Sequence, residues 1–574
     1  MKKFFLITTF FALISMSCSG ICCTTMLITK NATADGSILV AHSDDDEVGD
    51  QRIIYVPAMD HPKGSKRPVY PDGNATYPRY VGKSRGPGYD IPDYPPTQPI
   101  GYIDQVPHTY AFFDANYGII NEHQLALGEC TNAANVDTTL TTDTKDRLFC
   151  IGELSRIALE RCKKAREAIA LIGELADEYG YNGWGETLLI ADTEEGWVFE
   201  ICNPPNGRGA IWVAKKVPDG EVFVAANEFR IREVMQDDPN IMYSKQLFPI
   251  AKKQGWWDPK SKKPLDWLTS VSPGEYNHPY YCLRRVWRAF SRIAPSLNLS
   301  PWVEDGYTRD YPFSIEPDKK LNVQDVMALY RDYYQGTEFD LTKGLAAGPF
   351  GCANRFFGPY DTTWNNHPGK KNSKLEGAWE RPISVYYCGY VYVNQIRDHL
   401  PDPIGGVCWL GLDQPYTNCF VPYYIGVSDL PKPLQITNSY DFSFDGAWWI
   451  FNFVSNWSSQ KFDFMIKDIQ ALQTKLEEEE FRNQANIEHN ALKLYQNGKD
   501  LKRVKEYLTQ YCKQNAHEVF SQWAGLSKYL VEKYTDGYIN RPKIGQAVGY
   551  PKWWREAVGY QNGPKSYKKP EAKD

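Results

Sequence analysis

The sequence predicts an α+β fold in which mainly antiparallel strands are covered by helices, and three observations carry that expectation. Short apolar runs rich in Val, Ile, Phe and Trp recur between residues 24 and 226, and again between 385 and 411. A stretch with three- and four-residue apolar spacing, residues 151 to 179, interrupts them. The last part of the chain is charged and helical in pattern. Strands, a helical segment, more strands and then helices is the order expected of sheets covered by helices.

The chain opens with Lys2 and Lys3, an apolar run over residues 4 to 14, and small residues after it. That is the pattern of a secretory leader, residues 1–22. A cut between Cys22 and Cys23 would place Gly20 and Cys22 at the small-residue positions and make Cys23 the first residue of the mature chain. An N-terminal cysteine carries its own base, since a free α-amino group has an unperturbed pKa of about 8. That amine can take the thiol proton directly or through one water. Cys18, after Ser15-Met16-Ser17, offers a competing reading as a loose lipoprotein box, which would tether the exported protein to a membrane.

Residues 24 to 28 and 37 to 42 read as two strands around a turn-rich 31 to 36, a hairpin whose first residue is Cys23. Asp44, Asp45 and Asp46 follow the second strand. Hairpin pairing can bring them back beside Cys23; composition alone reads them as a solvated turn or a weak cation site. Residues 60 to 107, rich in Pro, Gly and Tyr, read as a long surface loop or flap. Strand character returns from Tyr110 to Glu129, with a turn at Asn121-Glu122-His123. Residues 151 to 179 read as one helix ended by Gly180. Strands over 187–191, 197–201, 211–214 and 222–226 follow, the last closed by Asn227. Residues 276–293 and 321–335 read as helices, and 385–396 and 407–411 as strands. Residues 460–512 read as a charged helical pair in which Glu477 to Glu480 is a solvated run. From Pro542 the periodicity is lost.

Composition excludes several classes. A net charge of −6 argues against nucleic acid as a partner. Beyond the leader, no apolar stretch approaches the ~20 residues of a membrane helix. The 13 cysteines, less Cys18, Cys22 and Cys23, leave ten scattered thiols, which an exported location permits to pair but does not prove. No C-x-x-C pair or clustered Cys/His spacing indicates zinc. There is no Gly-rich phosphate loop, dinucleotide fingerprint or G-x-S-x-G elbow, so neither a cofactor nor a metal is expected. The high aromatic content suits extracellular sheet proteins and carbohydrate binders alike and leaves function open.

Several segments then resemble one family, in its order along the chain. They are Cys23-Thr24-Thr25-Met26-Leu27-Ile28, Asp35-Gly36-Ser37, Ala41-His42-Ser43-Asp44-Asp45, Asn121-Glu122-His123, the helical Leu154 to Arg161, Gly196-Trp197-Val198-Phe199-Glu200, Val224 to Ile231, and Trp409-Leu410-Gly411. This set, across residues 23 to 460, resembles the Ntn-hydrolase dipeptidases typified by dipeptidase A of lactic acid bacteria. It is more distantly similar to secernins, penicillin V acylase and bile salt hydrolase. The resemblance implies an αββα sandwich of two mainly antiparallel sheets flanked by helices, with a helical C-terminal extension. The domains would be a catalytic unit over 23–455 and the extension and tail over 456–574.

The resemblance also implies hydrolysis of a small peptide or amide through a thioester acyl-enzyme. Cys23 Sγ would attack the carbonyl and its α-amino group would shuttle the proton. Asp45 matches the aspartate that holds that amine, and Asn227 the asparagine of the oxyanion hole, a donor worth roughly 3 kcal/mol in the transition state. One departure is His42, where the family usually carries an arginine. A histidine there either charges and favours the thiolate, or stays neutral and donates a hydrogen bond. Dipeptides are the expected substrates, outside the cytoplasm in a periplasmic or extracellular setting, and an oligomer is compatible with the sequence. The rivals are an N-acyl amidase or acylase on the same scaffold and a non-catalytic surface binding protein.

Overall fold

The computed structural model describes residues 23–559 apart from 47–48, 72–76, 136–145, 206–208, 276–280, 304, 356–379 and 499. The expected leader, with Cys18 and Cys22, lies outside the described residues, as do the first turn of the helix expected at 276–293 and the tail beyond 559.

Two antiparallel sheets make the centre. The first has seven strands, in the order Ser314–Ile315, Val222–Ala225, Thr24–Ile28, Ile38–Asp44, Tyr390–Ile396, Val407–Leu412 and Val421–Tyr424. The second has eight, in the order Ile241–Tyr243, Ile211–Lys216, Gly196–Cys202, Gly185–Ala191, Ala126–Asn132, Gly118–Asn121, Phe112–Asp114 and Ile54–Val56. Their middle strands pack face to face. Met26, Leu27, Val40, Ala126, Leu189 and Val198 are all fully buried in one core, and each larger apolar side chain contributes roughly 1.5–3 kcal/mol by leaving water. The approach is close enough to require glycine at one point: a Cβ on Gly128 would lie 2.7 Å from Thr25 Oγ1.

Helices cover both outer faces, so the expected αββα order holds. On the second sheet lie two helices, Ile151–Arg161 and Ala165–Tyr179, where the periodicity predicts one. The break has a tertiary cause. Asn121 Nδ2 donates to the carbonyls of Leu159 and Cys162, supplying the partner that the end of a helix lacks. Glu167 then reaches back to the amides of Lys163 and Lys164 and starts the second helix. Gly180 ends it as expected, at φ +82°, where a Cβ would lie 1.7 Å from Asp146 O.

On the first sheet lie the helices Leu283–Ile293 and Val323–Tyr330 and a long pair, Phe462–Gln496 and Leu501–Lys533. The long pair packs on the strand Val421–Tyr424 and extends well past residue 512. Glu477 and Glu480 depart from the solvated reading. Both are buried, three residues apart on one helical face, Glu477 paired with Arg331 and Glu480 accepting from Asn515 Nδ2. The strand expected from Val385 begins at Tyr390. Past Pro542, Gln546–Ala547 pairs with Tyr538–Ile539, and a short helix spans Lys552–Ala557.

Residues 60–107 are not a loose surface loop. Lys66–Val69 pairs with Gly101–Asp104, and Tyr80, Tyr89 and Ile103 are buried. Buried ion pairs link the segment to the helix Ile151–Arg161: Arg67 to Glu153 and Glu160, and Arg85 to Glu153. Removing one partner of such a buried pair costs ~3–5 kcal/mol, because the other charge is left uncompensated.

Candidate functional site

The register of the first sheet assembles the site. In the central hairpin Thr24 faces Ser43 and Thr25 faces His42, so one step further Cys23 faces Asp44. On the other side Thr25 faces Ala225, which carries Cys23 toward Asn227. The cysteine therefore lies between the end of one neighbouring strand and the end of the other. Because strand side chains alternate, Cys23, Thr25, His42 and Asp44 share the face that meets the second sheet. Thr24, Ser43 and Asp45 share the opposite face.

On the inner face, Cys23 Sγ lies 4.0 Å from Asp44 Oδ1, with both residues fully buried. Asn116 Nδ2 donates to Asp44 Oδ2 at 2.5 Å and to Asp46 Oδ2 at 3.4 Å. Arg79, from the docked 60–107 segment, donates to Asn116 Oδ1 at 3.3 Å, so that segment reaches the site through one amide. Burial raises the Asp44 carboxyl well above the usual range, and Asp46 and Glu129 push it the same way. The Cys23 thiol is also held well up, by burial first and then by Glu129 and Asp44.

His42 Nδ1 lies 2.7 Å from the carbonyl oxygen of Glu129. A carbonyl only accepts, so Nδ1 carries the proton and Nε2 the lone pair. Burial pushes the imidazole pKa down to about 4. The ring is therefore neutral at pH 7, which favours the hydrogen-bonding reading of His42 over the charged one. His42→Gln should accordingly leave the shape of the kcat/KM pH profile unchanged between about pH 5 and 8, the range in which an ordinary histidine titrates. An acid limb near pH 6.5 that disappears in the variant would show the ring charging during turnover.

On the outer face, Asp45 is buried and paired with Arg381. Ser43 Oγ accepts from Thr24 N at 3.2 Å and donates to Asp45 Oδ2 at 3.2 Å, which ties Asp45 to the strand end that Cys23 opens. Burial holds its carboxyl above the ordinary range in spite of Arg381.

Asn227 is held in the left-handed region, φ +65°. Its Nδ2 donates to Thr131 O at 2.7 Å, and Arg285 Nη2 donates to its Oδ1 at 2.7 Å. The structure thus brings Cys23, His42, Asp45 and Asn227 into one cluster.

Sequence reasoning missed Arg285. Its Nη1 donates to Cys23 O at 2.7 Å and to Thr24 Oγ1 at 3.0 Å, so a single guanidinium joins the cysteine to Asn227. A signal was present. Cys282, Arg285, Ala289 and Ile293 fall on one helical stripe, and an arginine on an apolar stripe is a buried charge in need of partners. Cys130 was missed too: its Sγ accepts from Asn227 N at 2.8 Å and donates to Cys23 O at 3.5 Å. All eleven described cysteines are free thiols.

The fold is α+β, and in it a buried thiol opens an inner strand of stacked antiparallel sheets, beside carboxylates and a fixed amide. The model of peptidase family C69 matches residues 22–475, and the chain belongs to that family. It is similar to a probable dipeptidase of Salmonella dublin, 27% identical over 414 residues, covering 71% of this chain and 82% of the relative. A probable dipeptidase of Latilactobacillus sakei is 26% identical over 434 residues, 73% and 78% of the two chains. Probable dipeptidase B of Lactococcus lactis is 24% identical over 432 residues, 71% and 75% of the two chains. The family match ends inside the helix Phe462–Gln496.

Proposed function

We propose that this protein is an exported cysteine dipeptidase in which Cys23, exposed by removal of residues 1–22, attacks the peptide carbonyl and its own α-amino group moves the proton. Residues 23–455 form the catalytic unit and 456–574 the extension. One observation carries the dipeptide reading: the Asp44 carboxylate stands 4.0 Å from Cys23 Sγ. In a dipeptide the ammonium is two bonds from the scissile carbonyl carbon. A substrate with that carbon against Sγ brings its ammonium within hydrogen-bond reach of Asp44. The pairing relieves a carboxylate crowded by Asp46 and Glu129. The probable-dipeptidase names of the relatives agree. An N-acyl substrate lacks this charge, which disfavours the acylase reading, and membership of a peptidase family disfavours the binding protein.

The base follows from the imidazole. His42 is neutral and the Cys23 thiol is held high, so a preformed thiolate–imidazolium pair has no support. The thiol proton leaves as the bond to carbon forms, and a free α-amine on the same residue can take it directly or through one water. It then passes to the leaving amine, and water cleaves the thioester. Asp45 orients the amine, Asn227 stabilises the oxyanion, and Arg285 fixes the plane of the Asn227 amide.

The test is the intact mass of the active protein. A mass beginning at Cys23, in a preparation that cleaves a dipeptide, is the expected result. Full activity with residues ahead of Cys23 retained would overturn the α-amino base, and a lipid on Cys18 would place the mature start elsewhere.

A further inference from the structure

The inner face of the hairpin carries more than a nucleophile. The Cys23 thiol, one imidazole nitrogen of His42 and one carboxylate oxygen of Asp44 all lie within 4.8 Å of one another, and all three residues are buried. Thiolate, imidazole and carboxylate is a donor set that suits a borderline-soft divalent cation, Zn²⁺ above all. Tetrahedral zinc with bonds of ~2.0–2.3 Å needs donors about 3.3–3.8 Å apart. The 4.0 Å from Cys23 Sγ to Asp44 Oδ1 is within a small contraction of that.

Two features beyond the donor count point to a cation. His42 Nε2 is buried with no hydrogen-bond partner among the described residues, and it carries the ring's lone pair. A neutral acceptor left unpaired in a core costs ~1–3 kcal/mol, and a metal ion is one of the few ligands that would fill it. The supports behind the donors are also those of a metal site. The other ring nitrogen, Nδ1, donates to the Glu129 carbonyl, the arrangement that orients metal-bound histidines. Asn116 holds Asp44 Oδ2, leaving Oδ1 toward the sulfur.

We infer that Cys23, His42 and Asp44 form a reversible inhibitory site for Zn²⁺ and similar thiophilic cations. It rests on the reading of Cys23 as nucleophile. Binding displaces the thiol proton to solvent and commits the sulfur lone pair to the metal, so Sγ cannot attack. The cation and the substrate ammonium then compete for Asp44.

The probe is Co²⁺, a spectroscopic substitute for zinc, titrated into the purified active protein, with Zn²⁺ used to displace it. The expected results are a thiolate-to-cobalt charge-transfer band at one equivalent, its loss on adding Zn²⁺, and loss of dipeptide hydrolysis restored by a chelator. Cys23→Ser should abolish the band. The isosteric Asp44→Asn, and His42→Ala, should each weaken binding at least about a hundredfold, more than the 10–100-fold typical of losing a supporting group. Near-ultraviolet circular dichroism identifies any variant that has lost its packing. No band in wild-type protein, or a band unchanged in both Asp44→Asn and His42→Ala, would overturn the site. The failures are separable. If Cys23→Ala kills hydrolysis while wild-type protein shows no band, the metal site falls and the nucleophile stands. If the band forms but the loaded protein hydrolyses dipeptide at full rate, the inhibition is overturned together with the nucleophile assignment.

Discussion

Cys23→Ala should abolish peptide hydrolysis, with a loss on the order of 10⁴-fold or more in kcat, and leave the fold intact. Removing a nucleophile forfeits the whole covalent route, and the effect of losing one member of such a unit approaches that of losing all. The structural cost is small by comparison. Cys23 opens the first strand, and its carbonyl bonds to Arg285 and Cys130 are made by the backbone, so alanine keeps them. The loss of one buried sulfur costs on the order of 1 kcal/mol, against a stability of ~5–15 kcal/mol for a typical domain. Cys23→Ser should retain a trace of activity, because a hydroxyl in the same place is a far weaker nucleophile. Thermal melts of the three proteins, alongside turnover of one dipeptide, make the comparison. Wild-type turnover in Cys23→Ala would remove the mechanism altogether.

The parts of this site that could be read from the chain are those that follow from strand pairing. A hairpin opened by Cys23 and closed by aspartates has one simple register, and that register puts Asp44 beside the cysteine. What pairing could not say is which aspartate serves which face. Alternation sends Asp44 toward the sulfur and Asp45 toward Arg381, a residue more than three hundred positions away. Asn227 was readable because a strand ends there, but the arginine that holds its amide arrives from a separate helix, across the sheet. The same limit explains the break at Cys162. Local periodicity is unbroken there, and the cap that stops the helix comes from Asn121 in a distant turn. Residues 60–107 misled for a related reason. Pro, Gly and Tyr reduce helix and strand propensity, but they do not prevent a segment from being buried when Arg67 and Arg85 meet Glu153. Of the proposed cation site the sequence offered only the aspartates, as a weak candidate, since motif spacing finds ligands close in sequence and these three donors meet through the hairpin.

A free dipeptide should be cleaved at least about a hundredfold better, in kcat/KM, than its N-acetyl form, since each ~1.4 kcal/mol is a factor of ten. The argument runs through Asp44. In the free protein its carboxyl is buried, its neutral neighbours are the Asn116 amide and the Cys23 thiol, and Asp46 and Glu129 raise it. A substrate ammonium draws the carboxyl back to its ionised form and pairs with it. An acetyl group at that position offers no charge and adds bulk, so the ion pair with Asp44 is not made, which forfeits at least a few kcal/mol of binding. Asp44→Asn should therefore do something that a general loss of activity cannot. It should lower turnover of the free dipeptide while changing that of the N-acetyl form far less, so that the two converge. The assay sets one dipeptide, its N-acetyl derivative, a tetrapeptide and penicillin V side by side with wild-type and Asp44→Asn protein. Preference for the N-acetyl peptide or for penicillin V in the wild type would replace the dipeptidase reading with the acylase one. A preference for the free dipeptide that survives Asp44→Asn would keep the substrate and move the recognition to another carboxylate, with Glu129 and Asp46 the next to change.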